Sequence, residues 1–500
     1  MRNRLLFIEE PSLVFGYNQR TIDPRDGLLL FGPFGRGTIN TAPIGIIGTK
    51  IGNQRMLTWL KTIQQPVIPK KPDVARPFYP GLEAAFDFSI KEDAIIQLEV
   101  DQSDLNTFLH YTDSHIRVHK LANLYAERLI RYSEEEDFPV SLWFVIIPDD
   151  VYTYGRPRSH IPASKDNIRV GLKKGISRIM PMLFDEDQKL QEAYKYEVNF
   201  HNQLKAKLLE KKIITQIIKE STIAYAETYT SQMQIEYAQK FDTAKAWSIS
   251  TALYYKCGGL PWKLGAVRDG VCYLGLVYKR IETDYDQRNA CCAAQMFLDS
   301  GDGQVFRAVK GPYYNSDRDE YHLTHEGATD LIRRALRAFQ SKGMPYPKEM
   351  FIHAKTYFGD VEWKAFEAAT EGKIKLTGVR IRDERVFKLY RDYAYPVPRG
   401  SAFLVDDSSA FLWTRGFVPR LQSNMGLETP NPLSIQISKG NADIQTVCRD
   451  VLMLTKLNYN ACIYGDGLPV TLRFANAVGE ILTAGPWKDE VETLPFKHYI

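Results

Sequence analysis

The run PVSLWFVIIPDD at 139–150 restricts the fold more than any other stretch of this chain. Its apolar part is unbroken and a polar loop ends it, so a strand formed here must be covered on both faces. Just before it, HKLANLYAERLIRYSEE (119–135) repeats apolar residues at helical spacing, with Leu121, Leu124, Leu129 and Ile130 on one side. A helix followed by a doubly covered strand fits a parallel α/β layer. Ligands of such sheets sit beyond the carboxyl ends of the strands, so the loop after Ile147 is a candidate rim.

The chain has 500 residues, too many for one simple core, so two or more domains are expected. The 64 Lys and Arg nearly balance 60 Asp and Glu, leaving a net charge of +4. An anion site must therefore come from local clustering. The cysteines, Cys257, Cys272, Cys291, Cys292, Cys448 and Cys462, contain no Cys-x-x-Cys pair. They read as free thiols of a reducing compartment, and their spacing excludes a zinc ribbon. The N-terminal apolar run is cut short by Glu9 and Glu10, unlike a signal peptide, and no uncharged apolar run reaches the length of a membrane span. A soluble, cytoplasmic protein is expected.

Three regions follow from pattern. Residues 1–90 are rich in Gly, Pro and short β-like runs and read as an extended segment packing on the rest. Within it, DPRDGLLLFGPFGRG (23–37) places turn residues around one apolar strand at 28–31. Residues 91–250 form a first α/β domain, with AIIQLEV (94–100) as a strand. Residues 251–500 form a second. Its strands are expected in GVCYLGLVYKR (270–280), in a hairpin around the Gly-Asp-Gly turn of 295–311, and in EMFIHAKT (349–356), KIKLTGVRIRD (373–383) and 401–417. Helices at 325–343, 361–369, 443–457 and 473–482 alternate with them. Hairpin strands followed by alternating helices and strands fit an RNase H-like layer.

The first domain carries local basic clusters. Between 151 and 180 lie Arg156, Arg158, Lys165, Arg169, Lys173, Lys174 and Arg178, preceded by Tyr152 and Tyr154. Cations interleaved with aromatics suit a phosphate backbone and a stacked base, and equally a solvated loop. FHNQLKAKLLEKKIITQ (200–216) reads as an amphipathic helix with His201 and Lys205 on one face and Gln216 a few turns on. A second helix, 233–256, presents Lys245. His115 and His119, four apart in HIRVHK, have the spacing of a metal pair but no third ligand nearby.

At STALYYKCGGLPWKL (250–264) followed by VCYLGLVYKR, the sequence resembles the start of the PIWI domain of Argonaute proteins. The family's Lys-x-Gly-Gly-x-Pro/Asn-Trp stretch is matched by Lys256, Gly258, Gly259, Pro261 and Trp262. The order continues through CCAAQMFLDSGDGQVFRA (291–308), EMFIHAKTYFGD (349–360) and GLPVTLRFANAVGEI (467–481), and DPRDGLLLFGPFG resembles the segment before the MID domain. The chain is similar to short prokaryotic Argonautes, which consist of MID and PIWI alone. The resemblance implies a Rossmann-like MID domain followed by an RNase H-like PIWI domain.

It also implies roles for residues. In MID domains an aromatic or His residue, a Lys four later, a Gln and a second Lys hold the guide's 5′ phosphate; here His201, Lys205, Gln216 and Lys245 fit that order. A Mg²⁺ ion that bridges guide phosphates implies Ile500, through a C-terminal carboxylate, as a metal ligand. Active PIWI domains hold two metal ions with carboxylates. At the matching positions stand Val277, Lys355 and Asn476, which cannot supply that charge, so no cleavage is expected. The family implies a guide RNA, a single-stranded DNA target, and a partner carrying an APAZ region fused to an effector such as a NAD-hydrolysing TIR domain. Such a pair acts against plasmids or phages and in some cases oligomerises on its target. Two rivals remain: an active nuclease built on Asp360, Glu362, Asp406 and Asp407, and a small-molecule-binding α/β protein, which no Gly-x-Gly-x-x-Gly turn supports.

Overall fold

The computed structural model describes the chain except residues 1–3, 72, 174–177, 179, 181, 183–184, 281–289, 298–302, 308–312, 316–319, 342–345 and 487–493. Lys174 of the basic loop and Gly301 and Asp302 of the expected turn lie outside the described residues.

The apolar run becomes the strand Leu142–Ile147, buried along its whole length. Its side chains alternate between two cores. Trp143, Val145 and Ile147 pack with Val118, Leu121, Tyr125 and Leu129 of the helix Ser114–Glu135. Phe144 and Ile146 pack with Met56, Leu60 and Ile63 of the helix Lys50–Gln64. Asp113 starts the first of these helices by accepting from the N–H groups of His115 and Ile116, and Thr49 starts the second by accepting from Gly52. The sheet is all parallel, in the order Ile96–Glu99, Ile44–Gly48, Leu142–Ile147, Thr215–Lys219.

This sheet corrects the boundary expected at residue 90. The Ile44–Gly48 strand is buried throughout and paired on both edges, so the first domain begins well before residue 91. The N-terminal segment is otherwise shared out: Arg4–Phe7 joins the second sheet, and Leu13–Val14 pairs with Lys263–Leu264. The strand expected at 28–31 is instead the end of a helix, Pro24–Phe31. Asp23 caps it by accepting from Arg25 N–H, Pro24 occupies the first turn, and Gly32 ends it at φ +70°. Those termini outweigh the short apolar run. The long helix expected at 233–256 is two helices, Gln232–Gln239 and Asp242–Lys256, with Asp242 opening the second where a carboxylate suits the helix dipole.

The second sheet has nine strands: Arg4–Phe7, Ser401–Leu404, Ser409–Leu412, Leu433–Lys439, Lys375–Asp383, Glu349–Ala354, Val271–Arg280, Ala290–Phe297 and Gly303–Arg307, in that spatial order. The last three form antiparallel hairpins, while Val271–Arg280, Glu349–Ala354 and Lys375–Asp383 run parallel. The Lys375–Asp383 strand is an interior strand, not an edge. Alternation again divides two cores. Cys272, Leu274 and Leu276 face the helices His325–Ser341 and Asp360–Ala369. Tyr273 and Val277 face the helices Ile444–Leu454 and Val470–Leu482.

The closest approach between strand and helix falls at Gly275. A Cβ placed there would lie 1.8 Å from the Thr471 carbonyl oxygen, and its strand neighbour His353 bonds the Thr471 hydroxyl at 2.9 Å. Gly275→Ala should therefore push the helix Val470–Leu482 off the sheet and cost about 3 kcal/mol or more in denaturant unfolding. A loss below about 1 kcal/mol would show that the contact yields.

Candidate nucleic-acid interface

The helix Phe200–Leu208 begins at Asn199, whose side chain accepts from Asn202 N–H. It ends eight residues before Gln216, which stands on the strand Thr215–Lys219 and not on the continuous helix expected there. Lys212 in the left-handed region, at φ +55°, belongs to the turn between them. Lys205 is buried, and its Nζ donates to the main-chain oxygen of Ile500 at 2.6 Å and to Thr215 O at 3.3 Å. Lys256, the last residue of the helix Asp242–Lys256, meets it from the other side. Its Nζ donates to the same Ile500 oxygen at 2.5 Å, to Gln216 Oε1 at 2.6 Å and to Thr215 O at 3.0 Å. Ile500 is held inward by the short turn Phe496–His498, whose Phe496 ring lies 4.4 Å from that of Phe474 on the helix Val470–Leu482.

Two ammonium groups thus converge on one spot, and no carboxylate side chain pairs with either among the described residues. Burial lowers Lys205 to about 7 and holds Lys256 well below its ordinary value, with repulsion from Lys205 adding to the second shift. Such a pair is a strong anion trap, since a negative charge would offset both desolvation and repulsion.

His201 projects at the mouth of a cavity of about 690 Å³ lined also by Val151, Tyr152, Arg156, Gln216, Lys219 and Thr222. Although part of the residue is solvent-exposed, the protein packed around its ring, with repulsion from Lys205 and Lys256, lowers its pKa to about 4. The imidazole is neutral at pH 7, able to stack or to donate through one N–H. The cavity opens beyond the carboxyl ends of the Leu142–Ile147 and Thr215–Lys219 strands, the rim expected for this sheet. Arg156 lies 3.5 Å over the Tyr152 ring, and Lys219 pairs with Asp149 at 3.0 Å. Lys205 and Lys256 are buried and do not line this cavity themselves; Lys256 is joined to it through Gln216, which does.

The structure thus brings together His201, Lys205, Gln216 and Ile500, but not Lys245. Lys245 pairs with Asp242 at 2.8 Å and lies 4.1 Å from the Tyr225 ring, in a neighbouring cavity that shares Lys219 and Thr222 with the first. Its place is taken by Lys256, which sequence reasoning used only as a motif residue. The signal was there: a lysine closing the apolar helix run STALYY, ahead of Gly258, is a buried cation in need of a partner. His115 and His119 form no metal pair, the first bonding Tyr196 O at 3.2 Å and the second Asn123 at 3.3 Å.

In the second domain, the parallel pair Leu276–Ala354 is followed by Val277, buried and three residues before the end of its strand, and by Lys355, exposed just past the end of its strand. Asn476, on the helix packed against that strand, donates to Glu480 at 3.2 Å, and Lys279 pairs with Glu480 at 3.3 Å. The four acids of the rival nuclease do not converge. Asp360 pairs with Lys439, and Glu362 is sealed between His322, Leu323 N–H and the Tyr278 hydroxyl. Asp406 accepts from Ser408 in the turn between two other strands. Among the described residues no group of three or more His, Cys, Asp or Glu could hold a metal ion.

No protein-family model and no curated protein matches this sequence. Solved structures do match. Clostridium butyricum Argonaute bound to a guide DNA and a 19-mer target DNA aligns with 99% of this chain at a TM-score of 0.62 and 15% identity. A. aeolicus Argonaute aligns with 99% at 0.55 and 14% identity, and its complex with externally bound siRNA with 100% at the same score and identity. The fold is therefore Argonaute-like, mixed α/β, with the two sheets in the places of MID and PIWI. The chain spans 55% of the length of the first two Argonautes. No described helix is long and apolar enough to cross a membrane.

The lysine shift has a testable consequence. Lys205 titrates near 7 folded and near 10.5 unfolded, so the unfolded chain binds more protons between those values and folding stability rises with pH there. Relative to the wild type, Lys205→Met should thus gain stability as pH falls from 10 to 7, on the order of a few kcal/mol in anion-free buffer. Parallel pH profiles of the two proteins in thermal unfolding would contradict the shift.

Proposed function

We propose that this chain is the guide-binding, non-cleaving subunit of a two-component Argonaute system. It holds a 5′-phosphorylated guide RNA, recognises complementary single-stranded DNA and activates a separate TIR-APAZ effector that hydrolyses NAD, in cytoplasmic defence against plasmids or phages. The observation that carries the reading is the convergence of Lys205 and Lys256 on the Ile500 oxygen, with Lys256 also donating to Gln216, in an Argonaute-like fold. A terminal phosphate arriving at Gln216 would share both ammonium groups and take charge-assisted hydrogen bonds from them. His201, neutral at pH 7, would stack on the first base. Arg156 and Lys219 at the mouth would meet the following backbone. Base pairing would carry the specificity, so the protein needs only charge and shape. Clostridium butyricum Argonaute was solved with a guide DNA and a target DNA, which supports guided pairing and leaves the choice of an RNA guide to experiment.

Magnesium fits this site only together with the guide. Gln216 Oε1 and the Ile500 oxygen are the oxygens at hand, and Lys256 already donates to both, so a bare cation would meet two positive charges. With guide phosphates present, Gln216 and Ile500 would hold the ion, which supplies countercharge between those phosphates.

Absence of cleavage is supported by residue type. On the register the family resemblance implies, Val277, Lys355 and Asn476 would stand where metal-holding carboxylates are needed, and the exposed Lys355 adds positive charge to the rim. The catalytic step would then fall to the partner, with this chain as one half of a heterodimer that assembles further on its target.

Two measurements test the reading. Lys205→Ala with Lys256→Ala should weaken binding of a 5′-phosphorylated RNA at least a hundredfold and abolish its preference over the 5′-hydroxyl form, whereas Lys245→Ala should stay within about threefold. An equal loss from Lys245→Ala would move the pocket next door. Incubation of the guide-loaded protein with labelled target DNA and Mg²⁺ or Mn²⁺ should leave the target intact; a guide-dependent cut at a fixed position would establish the nuclease instead.

A further inference from the structure

Beyond the strand Lys375–Asp383 the chain runs through ERVFKLYRDYAYPVPRG (384–400), an irregular segment with an unusual surface. Tyr390 is 74% exposed, Tyr393 69% and Tyr395 41%. Arg385 and Lys388 precede them, and Arg391 and Asp392 stand between Tyr390 and Tyr393. A cluster of exposed rings within a few residues is the kind of contiguous apolar surface that marks an interaction site.

The segment is held in shape at both ends. Phe387 stacks on Phe411 with ring centroids 4.5 Å apart, and Tyr395 stacks on Phe417 at 4.2 Å. Lys388 donates to Asn431 Oδ1, and Arg391 Nε donates to Tyr395 O at 2.7 Å. The Arg391 guanidinium lies 4.7 Å from the Tyr393 ring centroid. The stretch between these anchors presents Tyr390 and Tyr393 outward beside an arginine plane.

Its place in the fold says what it faces. The strands Val271–Arg280, Glu349–Ala354 and Lys375–Asp383 are parallel, and Leu276, Ala354 and Arg380 are in register. The segment therefore leaves the sheet at the same carboxyl rim as Val277 and Lys355, two strands away from Val277. Arg382, exposed, adds positive charge along the approach beside Asp383 and Glu384, whereas Arg380 is held by Glu320 at 3.8 Å and by the Tyr357 ring. Cations and aromatic faces together on such a rim match single-stranded nucleic acid, whose bases stack on the rings while the backbone follows the charge.

We propose that residues 385–395 form a stacking platform for unpaired nucleotides, with Tyr390 and Tyr393 as the stacking faces and Arg385, Lys388 and Arg391 as the phosphate contacts. The site lies on the rim that guided binding would use and is separate from the Lys205–Lys256 pocket. On a guided complex it would take the single-stranded part of a strand beyond its paired stretch. It reads no base identity, because every base offers a ring face.

The test needs no guide. A 3′-labelled, 5′-hydroxyl oligothymidylate of twelve nucleotides is titrated against the full chain by fluorescence anisotropy. Tyr390→Ala with Tyr393→Ala should weaken binding roughly tenfold or more, and Tyr390→Phe with Tyr393→Phe should retain it within about threefold. A 4-thiothymidine version of the oligomer should crosslink within 384–395. A loss of less than fivefold in the alanine pair, no binding by the wild type, or crosslinks confined to other segments would each overturn the platform. Binding of a 5′-phosphorylated RNA by the same variants is the control. Its retention shows that they fold, and its absence in the wild type would sink the guide pocket while leaving the oligothymidylate result decisive.

Discussion

The Ile500 oxygen accepts from two buried lysines, and much of the molecule is arranged around that contact. Removing an ammonium group from water costs several kcal/mol, and two side by side repel as well. Such a site persists only if the surrounding fold forces it. Here Lys205 arrives on the helix Phe200–Leu208, Lys256 ends a helix leading into the second domain, and Gln216 comes from the first sheet. Ile500 is pressed in by Phe496 against the helix Val470–Leu482. The same helix sits on the second sheet at Gly275, so the pocket of one domain is floored by the last turns of the other. Binding an anion there would relieve the repulsion and tighten the junction between the domains; under the proposed function the site would register whether a guide is present.

Both sheets obey one rule, and it explains where charge collects. Parallel strands buried on both faces leave only their ends for polar work. In the first domain the carboxyl rim carries Asp149, Arg156, Lys219 and the cavity before His201. In the second it carries Val277, Lys355, Lys279 and Glu480, and the tyrosine-rich segment after Asp383.

What could be read in the sequence was what hydrophobic periodicity writes. The strands Leu142–Ile147 and Val271–Arg280 stood out because they are long apolar runs, and the helix Ser114–Glu135 because its apolar residues recur at helical spacing. The Pro24–Phe31 helix did not, because its two ends decide it: one capping aspartate, one proline and a glycine past the end. The strand Ile44–Gly48 was lost among Gly and Pro neighbours, though both of its glycines lie under close contacts, Gly45 against Trp143 and Gly48 against Ile146. At the candidate site, His201, Lys205 and Gln216 were legible from order, and Lys245 was chosen over Lys256 for the same reason. Order along a chain does not tell which of two lysines eleven residues apart on one helix turns inward. Asp242, three residues before Lys245, was the clue that Lys245 already had a surface partner.

The chemistry of the second rim follows from sign of charge. A two-metal site needs several carboxylates around one phosphate, because the ions must be held before they can act. Among the described residues Glu480 lies at this rim, where it is shared by Lys279 and Asn476. Lys355 is exposed just past the end of its strand. Among the described residues, that set suits a phosphate backbone better than a divalent ion. Under the proposed function, then, the loss of carboxylates is more than a loss: replacing them by a lysine and neutral groups converts a cutting site into a holding site. A bound duplex would remain whole and resident, and a resident duplex is what a separate effector needs as its signal.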